Sequence, residues 1–400
     1  MKVFIPHTYL THLKLGMELK GIIRVAEELA YILPEKTGVD GSPIGSVVPA
    51  SEIQSAPPRR PWLSLSMTPK GPIVHAWLDD VPLLAQVEMV REDAVYSRTP
   101  FDSDCLTLLH NSRVTIFGCG TGGSYMALEL ARAGVRQFNL VDPDSMEVPN
   151  LSRHEGGFTD LGRPKVRVVK DRILLMNPNA SVNGFAQDLF FDDPENILPD
   201  LYRQSDLILA ATDRLAIQLL INEFAFEQQV PTVFGGCYEN AIGGEVFAYV
   251  PEWKTPCYCC LKGGGVTVDQ EFGPMDYSTA TGPEDYEGQP GLHSAVNFIS
   301  SLETQIAIGV LLRRHTESFR SIVNPDQCFW FIGGAFGSFI SPFRKPFDIF
   351  PVRFEGPRST CEVCQRNPSL MVLDEGLMCE EIDDKDTSHF LAQLTPYQIS

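Results

Sequence analysis

RVTIFGCGTGG at residues 113–123, continued by SYMALELARAG at 124–134 and QFNLVD at 137–142, decides the fold. Arg113 to Phe117 is a short apolar run rich in β-branched residues, the pattern of a buried strand. Gly118, Gly120 and Gly123 follow at the spacing G-x-G-x-x-G. Glycines there let the backbone turn tightly and let a phosphate approach free N–H groups at a helix N-terminus. The helix predicted from Ser124 stops at Gly134, where a left-handed cap favours glycine. Asp142 closes the next strand, 19 residues past Gly123, where a carboxylate can accept hydrogen bonds from ribose hydroxyls.

The same rhythm continues outward. KVRVVKDRILLMN (165–177) reads as a helix stopped at Asn177-Pro178, SVNGFA (181–186) and SDLILAAT (205–212) as strands, AIQLLINEFAFEQ (216–228) as a helix and PTVFGG (231–236) as a strand. Strands alternating with helices imply a doubly wound, Rossmann-like, mostly parallel α/β sheet. AVNFISSLETQIAIGVLLRR (295–314) reads as a largely buried helix and FWFIGGAFGSFISPF (329–343) as strand. Residues 1–100 read as a separate α+β extension. GIIRVAEELAYIL (21–33) has helical periodicity, Pro34 to Pro61 reads as loop or linker, and WLSLSM (62–67) and IVHAWL (73–78) read as two strands about the turn at Pro69-Lys70-Gly71-Pro72. The expected organisation is an extension over 1–100, a nucleotide domain over 101–372 and an acidic tail over 373–400.

The charge balance, 32 − 51 = −19, disfavours general binding to phosphate backbones. The N-terminus lacks an apolar core of signal-peptide length, no run of about 18 apolar residues suggests a membrane span, and the ten cysteines fit a reducing, cytoplasmic setting. Four cysteines form two pairs, Cys257-x-x-Cys260 and Cys361-x-x-Cys364, a metal pattern rather than a disulfide one. Cys259, inside the first pair, is a rival ligand.

Between these landmarks lie Asp142-Pro143-Asp144, Asn150-Leu151-Ser152-Arg153, Gly162-Arg163-Pro164-Lys165 and Ala211-Thr212-Asp213-Arg214. Attack at the α-phosphorus of a triphosphate needs cations around the transferring and leaving oxygens, which Arg153 and Lys165 can supply. Asp213 ends a strand at the ligand edge of the sheet and can hold Mg²⁺ through oxygen, while Asn150 can position a phosphate. Singly, each has a plainer reading: a lone Arg or Lys is a solvated charge, and Asp213 could simply cap the next helix. As a set in this order they favour ATP over NAD.

With these motifs in place, Arg113 to about Cys364 resembles the ThiF/MoeB/ubiquitin-activating-enzyme superfamily. The resemblance implies adenylation of a C-terminal carboxylate. The substrate would be a ubiquitin-like or sulfur-carrier protein, or alternatively a ribosomal peptide as in microcin-type enzymes, which also carry an N-terminal extension. It implies ribose binding by Asp142, phosphate binding by Asn150, Arg153 and Lys165, Mg²⁺ at Asp213, and structural zinc on Cys257, Cys260, Cys361 and Cys364. Relatives are usually dimers or pseudo-dimers in which an arginine of one subunit reaches the other's ATP, and Tyr96-Ser97-Arg98 looks like that element. Thr99 and His154 stand where relatives tend to carry Gln. Relatives often use a cysteine in the loop before the long helix, but Leu261 to His293 holds none. Cys237 is the substitute candidate for a thioester step, although a buried core cysteine is the plainer reading. Cys119 reads as filler within the glycine turn, and Cys379 as an exposed tail thiol. An NAD-dependent oxidoreductase explains Asp142 but not Arg153, Lys165, Asp213 and the cysteines together. A scaffold without chemistry would not need the full polar set.

Overall fold

A computed structural model describes residues 1–34, 43–57, 59–193, 196–238, 241–262, 291–315, 327–334, 345–353, 357 and 361–365. The predicted acidic tail and Cys379 lie outside these residues, as does nearly all of the cysteine-free stretch from Leu261 to His293. The chain divides into two units: Met1–Asp102 with Lys170–Ala180, and Ser103–Val169 with Ser181–Ser400.

In the first unit, eight strands form one sheet: β1 (Lys2–Pro6), β2 (Glu18–Arg24), β3 (Leu29–Leu33), β4 (Gly45–Val47), β5 (Trp62–Thr68), β6 (Gly71–Trp77), β7 (Leu83–Leu84) and β8 (Gln86–Val90). Their order is β7-β6-β5-β4-β2-β3-β1-β8. Val3, Ile5, Leu19, Ile32, Leu63, Leu65 and Val74 form its core. The β5–β6 hairpin is as expected, pairing Thr68 with Gly71 and Trp62 with Trp77.

The helix expected over 21–33 is corrected. β2 and β3 are antiparallel, with Lys20 opposite Leu33 and Arg24 opposite Leu29. Burial alternates along Leu19-Lys20-Gly21 and Leu29 to Leu33, as a half-buried strand requires. Only Val25–Glu27 is helical, a single 3₁₀ turn ended by Glu28 in the left-handed region, and this turn lent the segment its misleading period. A Cβ at Gly21 would lie 1.8 Å from the Tyr31 carbonyl oxygen, so the hairpin closes only around glycine. The linker expected over 34–61 contains the short strand β4.

The second unit is the α/β body. Its strands are β9 (Arg113–Phe117), β10 (Gln137–Val141), β11 (Ser181–Phe185), β12 (Leu207–Ala210), β13 (Thr232–Cys237), β14 (Gly243–Tyr249), β15 (Gln327–Gly333) and β16 (Ile349–Arg353), in the order β11-β10-β9-β12-β13-β14-β15-β16. The first five run parallel and the last three antiparallel. The parallel part is the expected doubly wound sheet. Chain order reverses between β9 and β12, and ligands bind at the carboxyl ends of strands at such a switch point. The antiparallel strands β14 and β16 were not read from the sequence. Ile208, Phe234, Phe247, Tyr258 and Phe329 join one apolar core.

The helices are α1 (Thr121–Ala133), α2 (Lys165–Met176), which begins in this unit and ends in the first, α3 (Leu198–Gln204), α4 (Leu215–Gln228), α5 (Tyr258–Lys262) and α6 (His293–Leu312); α1, α3, α4 and α6 pack on the sheet. Gly134 caps α1 at φ 114° in the left-handed region, as predicted. α6 is long and apolar enough, by length and composition alone, to cross a membrane, yet 61% of its most apolar window is buried within the body. It packs on α1, β13 and β14.

Candidate functional site

A cavity of about 960 Å³ opens where the parallel strands end. Gly118, Gly120, Asp142, Asp144, Asn150, Arg153, Lys165 and Asp213 all line it. Local geometry explains how β9 feeds this site. Gly118 turns at φ +92°, and a Cβ there would meet the Ala211 carbonyl oxygen at 2.5 Å. A Cβ at Gly123 would lie 1.9 Å from the Gly118 oxygen, so α1 packs against the turn through glycine alone and Gly123 serves closure from behind. Gly120 differs: nothing lies within 4 Å of its would-be Cβ. That leaves open space before the first N–H groups of α1, the anion-binding end of a helix.

Asp142 is 5% exposed. One oxygen accepts the Cys119 N–H at 2.6 Å and the other the Asp144 N–H at 2.8 Å. The carboxylate therefore ties the end of β10 to the glycine turn, with lone pairs left for a ligand. Burial pushes its pKa up, against the pull of Lys165. Lys165, the first residue of α2, donates to Asp144 Oδ2 at 2.6 Å. Burial alone would lower the lysine, but Asp142 and Asp144 outweigh it and hold its pKa above the ordinary value. It is therefore a firm cation at neutral pH.

Asp213 follows β12 and faces the cavity. Crowding by protein raises its pKa, with Lys165 opposing. The plainer reading of Asp213 as a helix cap does not describe it: Arg214 holds the N-cap position of α4 without a side-chain cap bond. Asn150 and Arg153 belong to a 3₁₀ turn and its end, over Val148–Ser152. Asn150 Oδ1 accepts the Glu147 N–H at 2.9 Å, which fixes the side chain toward its own turn. Arg98 lies in the first unit, exposed.

The four paired cysteines gather. Their sulfurs lie within 4.8 Å of one another, with Cys257–Cys361 at 3.6 Å, Cys260–Cys364 at 3.5 Å and Cys257–Cys260 at 3.9 Å. Four ligands 2.3 Å from a tetrahedral zinc would stand about 3.8 Å apart, so the quartet fits such an ion. Cys259 is not one of the four. Cys237 lines the cavity, but burial pushes its thiol up to about 12 against the opposing charge of Arg153. Cys119 is fully buried in the turn, and burial drives its thiol well up.

Three features escaped sequence reasoning. His154, 7% exposed, bridges the glycine turn and the Arg153 segment. Lys262 and Glu245, both buried, pair at 2.5 Å on the cavity wall, and the one Tyr258 hydroxyl proton is shared between Gln218 Oε1 at 2.7 Å and Glu245 Oε1 at 3.0 Å. Glu303, 3% exposed, also reaches the cavity, and burial raises its pKa well above the carboxyl range. Its signal was visible, an acid within an apolar helix. The Lys262–Glu245 pair joins residues with no local sign of each other.

Comparison with known proteins places the chain in a family. The family model "ThiF family" matches residues 96–327, more than half of the chain. The molybdopterin-synthase adenylyltransferase of Escherichia coli K12 is 31% identical over 180 residues, covering 45% of this chain and 70% of that protein. The sulfur carrier protein ThiS adenylyltransferase of the same strain is 32% identical over 154 residues, covering 38% of this chain and 59% of that protein. A crystal structure of E. coli MccB with AMPCPP and MccA superposes with TM-score 0.51 at 20% identity, covering 69% of this chain and 75% of that one, a likeness of fold. The chain belongs to the ThiF family and is an ATP-dependent adenylyltransferase.

Proposed function

We propose that the chain transfers the adenylyl group of ATP to the C-terminal carboxylate of a small sulfur-carrier or ubiquitin-like protein. The observation that supports this most directly is the meeting of Arg153, Lys165 and Asp213 with the glycine turn in one cavity. In this reading the ribose lies at Asp142 and the phosphates lie before α1, contacted by Asn150, Arg153 and Lys165. A substrate carboxylate oxygen attacks the α-phosphorus, the bond to the bridging oxygen breaks, and pyrophosphate leaves. Arg153 and Lys165 offset the charge that builds on the phosphoryl and leaving oxygens, and the remaining work is positioning. Asp213 would hold Mg²⁺, whose charge further offsets that of the triphosphate. The cysteine quartet would hold zinc in a closed, structural set of ligands. Arg98 would serve the cavity of a second copy in a homodimer.

With its thiol held near 12, Cys237 is a poor nucleophile at neutral pH. The acyl-adenylate is therefore passed to an external thiol, amine or sulfur donor. ATP–pyrophosphate exchange tests the reading. Exchange should depend on a carrier protein ending in Gly-Gly and vanish in Asp213→Ala without unfolding. Exchange driven instead by a ribosomal peptide would replace the carrier with that substrate. Exchange with neither, at full nucleotide binding, would refute both.

A further inference from the structure

His154 immediately follows Arg153 and is buried between two segments of the site. Its Nδ1 lies 2.8 Å from the Gly156 backbone N, which can only donate. Its Nε2 lies 2.8 Å from the Cys119 carbonyl oxygen, which can only accept. The two partners leave one arrangement: a neutral ring with its proton on Nε2. Cys119 stands between Gly118 and Gly120 and gives its own N–H to Asp142. One imidazole therefore joins the peptide of the glycine turn to the loop that carries Arg153.

A second proton would turn Nδ1 into a donor facing the Gly156 N–H, leaving two buried donors opposed and that bond broken. We propose that His154 is a positioning residue that holds the glycine turn and Arg153 at a fixed separation while neutral, and that protonating it uncouples them and weakens nucleotide binding. The inference rests on the reading that this cavity takes ATP. The charged groups facing the ring are Lys165, Glu155 and Asp160. Beside Gly156, whose N–H the ring accepts, stand the apolar side chains of Val168 and Met146. Burial lowers the ring's pKa, the Cys119 carbonyl raises it, Lys165 lowers it further, and Glu155 and Asp160 pull upward, for a net fall below 6.5. The coupling thus holds at neutral pH and fails in acid.

His154→Gln supplies the same pair without a titrating group: an amide N–H for Cys119 and an amide oxygen for Gly156. ATP dissociation constants with Mg²⁺ are measured by calorimetry from pH 5 to 8 for the wild type and for His154→Gln. The titration of ATP itself is common to both and cancels in their ratio. The ratio should be near one at pH 8 and rise by up to about tenfold per pH unit once His154 takes its proton, the limit for one linked proton. His154→Ala should bind more weakly than either at pH 8, with His154→Gln restoring affinity. A ratio flat across the range, or glutamine as weak as alanine at pH 8, overturns the inference. Absence of ATP binding by the wild type at every pH instead overturns the assignment of the cavity.

Discussion

Two glycines of one turn should fail in opposite ways when replaced by alanine. At Gly123 the new Cβ would stand 1.9 Å from the Gly118 oxygen, 2.9 Å from the Gly118 carbon and 3.2 Å from the Ala211 Cβ. Two of these three atoms are backbone, so no flexible side chain can swing aside. Relief requires the turn and the start of α1 to separate by about an ångström, a strain at the upper end of overpacking, about 3 kcal/mol. At about 2–4 °C per kcal/mol for a domain of 150–250 residues, the melting temperature should fall by about 6 °C or more. At Gly120 φ is −71° and no atom lies within 4 Å of the added methyl. The folding cost there should stay within about 1 kcal/mol, the scale of a changed N-cap residue. The same methyl fills the space through which a phosphate would reach the N–H groups of α1, so ATP affinity should fall at least tenfold. Thermal melting followed by circular dichroism, paired with calorimetric titration of ATP, separates the two. Equal melting temperatures for the wild type and Gly123→Ala would refute the packing argument. A Gly120→Ala variant that binds ATP normally would refute the placement of the phosphates.

Three more outcomes follow from the side chains. Lys165→Met should cut pyrophosphate exchange by about 10²–10³-fold, the usual effect of losing one preorganised charge, and should also lower the melting temperature, because it leaves the buried Asp142 without its opposing charge. A variant keeping most of the exchange would remove Lys165 from the chemistry. Elemental analysis should find one zinc per chain, with Cys361→Ser releasing it and lowering the melting temperature; a metal-free wild type at full stability would count against the quartet as a zinc site. Glu303 has its pKa raised above the ordinary 4.5 by burial, so the folded chain binds its proton more tightly than the unfolded chain. Stability from this group is complete below the unfolded value and is lost as pH rises toward the folded one, at up to about 1.4 kcal/mol per pH unit. Denaturant melts from pH 4 to pH 8 should therefore decline less in Glu303→Gln than in the wild type, and parallel declines would show that the carboxyl ionises freely.

The parallel half of the body was legible because its signals are local. Its central strands β9, β10, β12 and β13 carry buried apolar residues, and its helices carry their own stops, such as Gly134 or Asn177-Pro178. β14 and β16 were not legible, because strands were read from their alternation with helices, and an antiparallel strand needs no crossover helix to announce it. Gly21 to Leu33 was misread because the 3₁₀ turn at Val25–Glu27 lent two short strands a helical period. Within the site, residue types pointed to phosphate chemistry and spacing disclosed the cysteine pairs. His154 was visible only as a departure from the glutamine of relatives. Its place between Gly156 and Cys119 depends on a contact 35 positions away, which no local pattern encodes.

The cysteine quartet has a consequence for how this enzyme can change over evolutionary time. Cys257 and Cys361 meet across 104 positions of chain. Between the two pairs the chain builds α6, β15 and β16, which belong to the body itself. Added length is cheap only between those elements, where each doubling of a flexible connection adds about 0.6 kcal/mol of closure entropy. Within them a single inserted residue would shift every later side chain on the helix or sheet, so the quartet marks the far end of a stretch that can vary only at its joints.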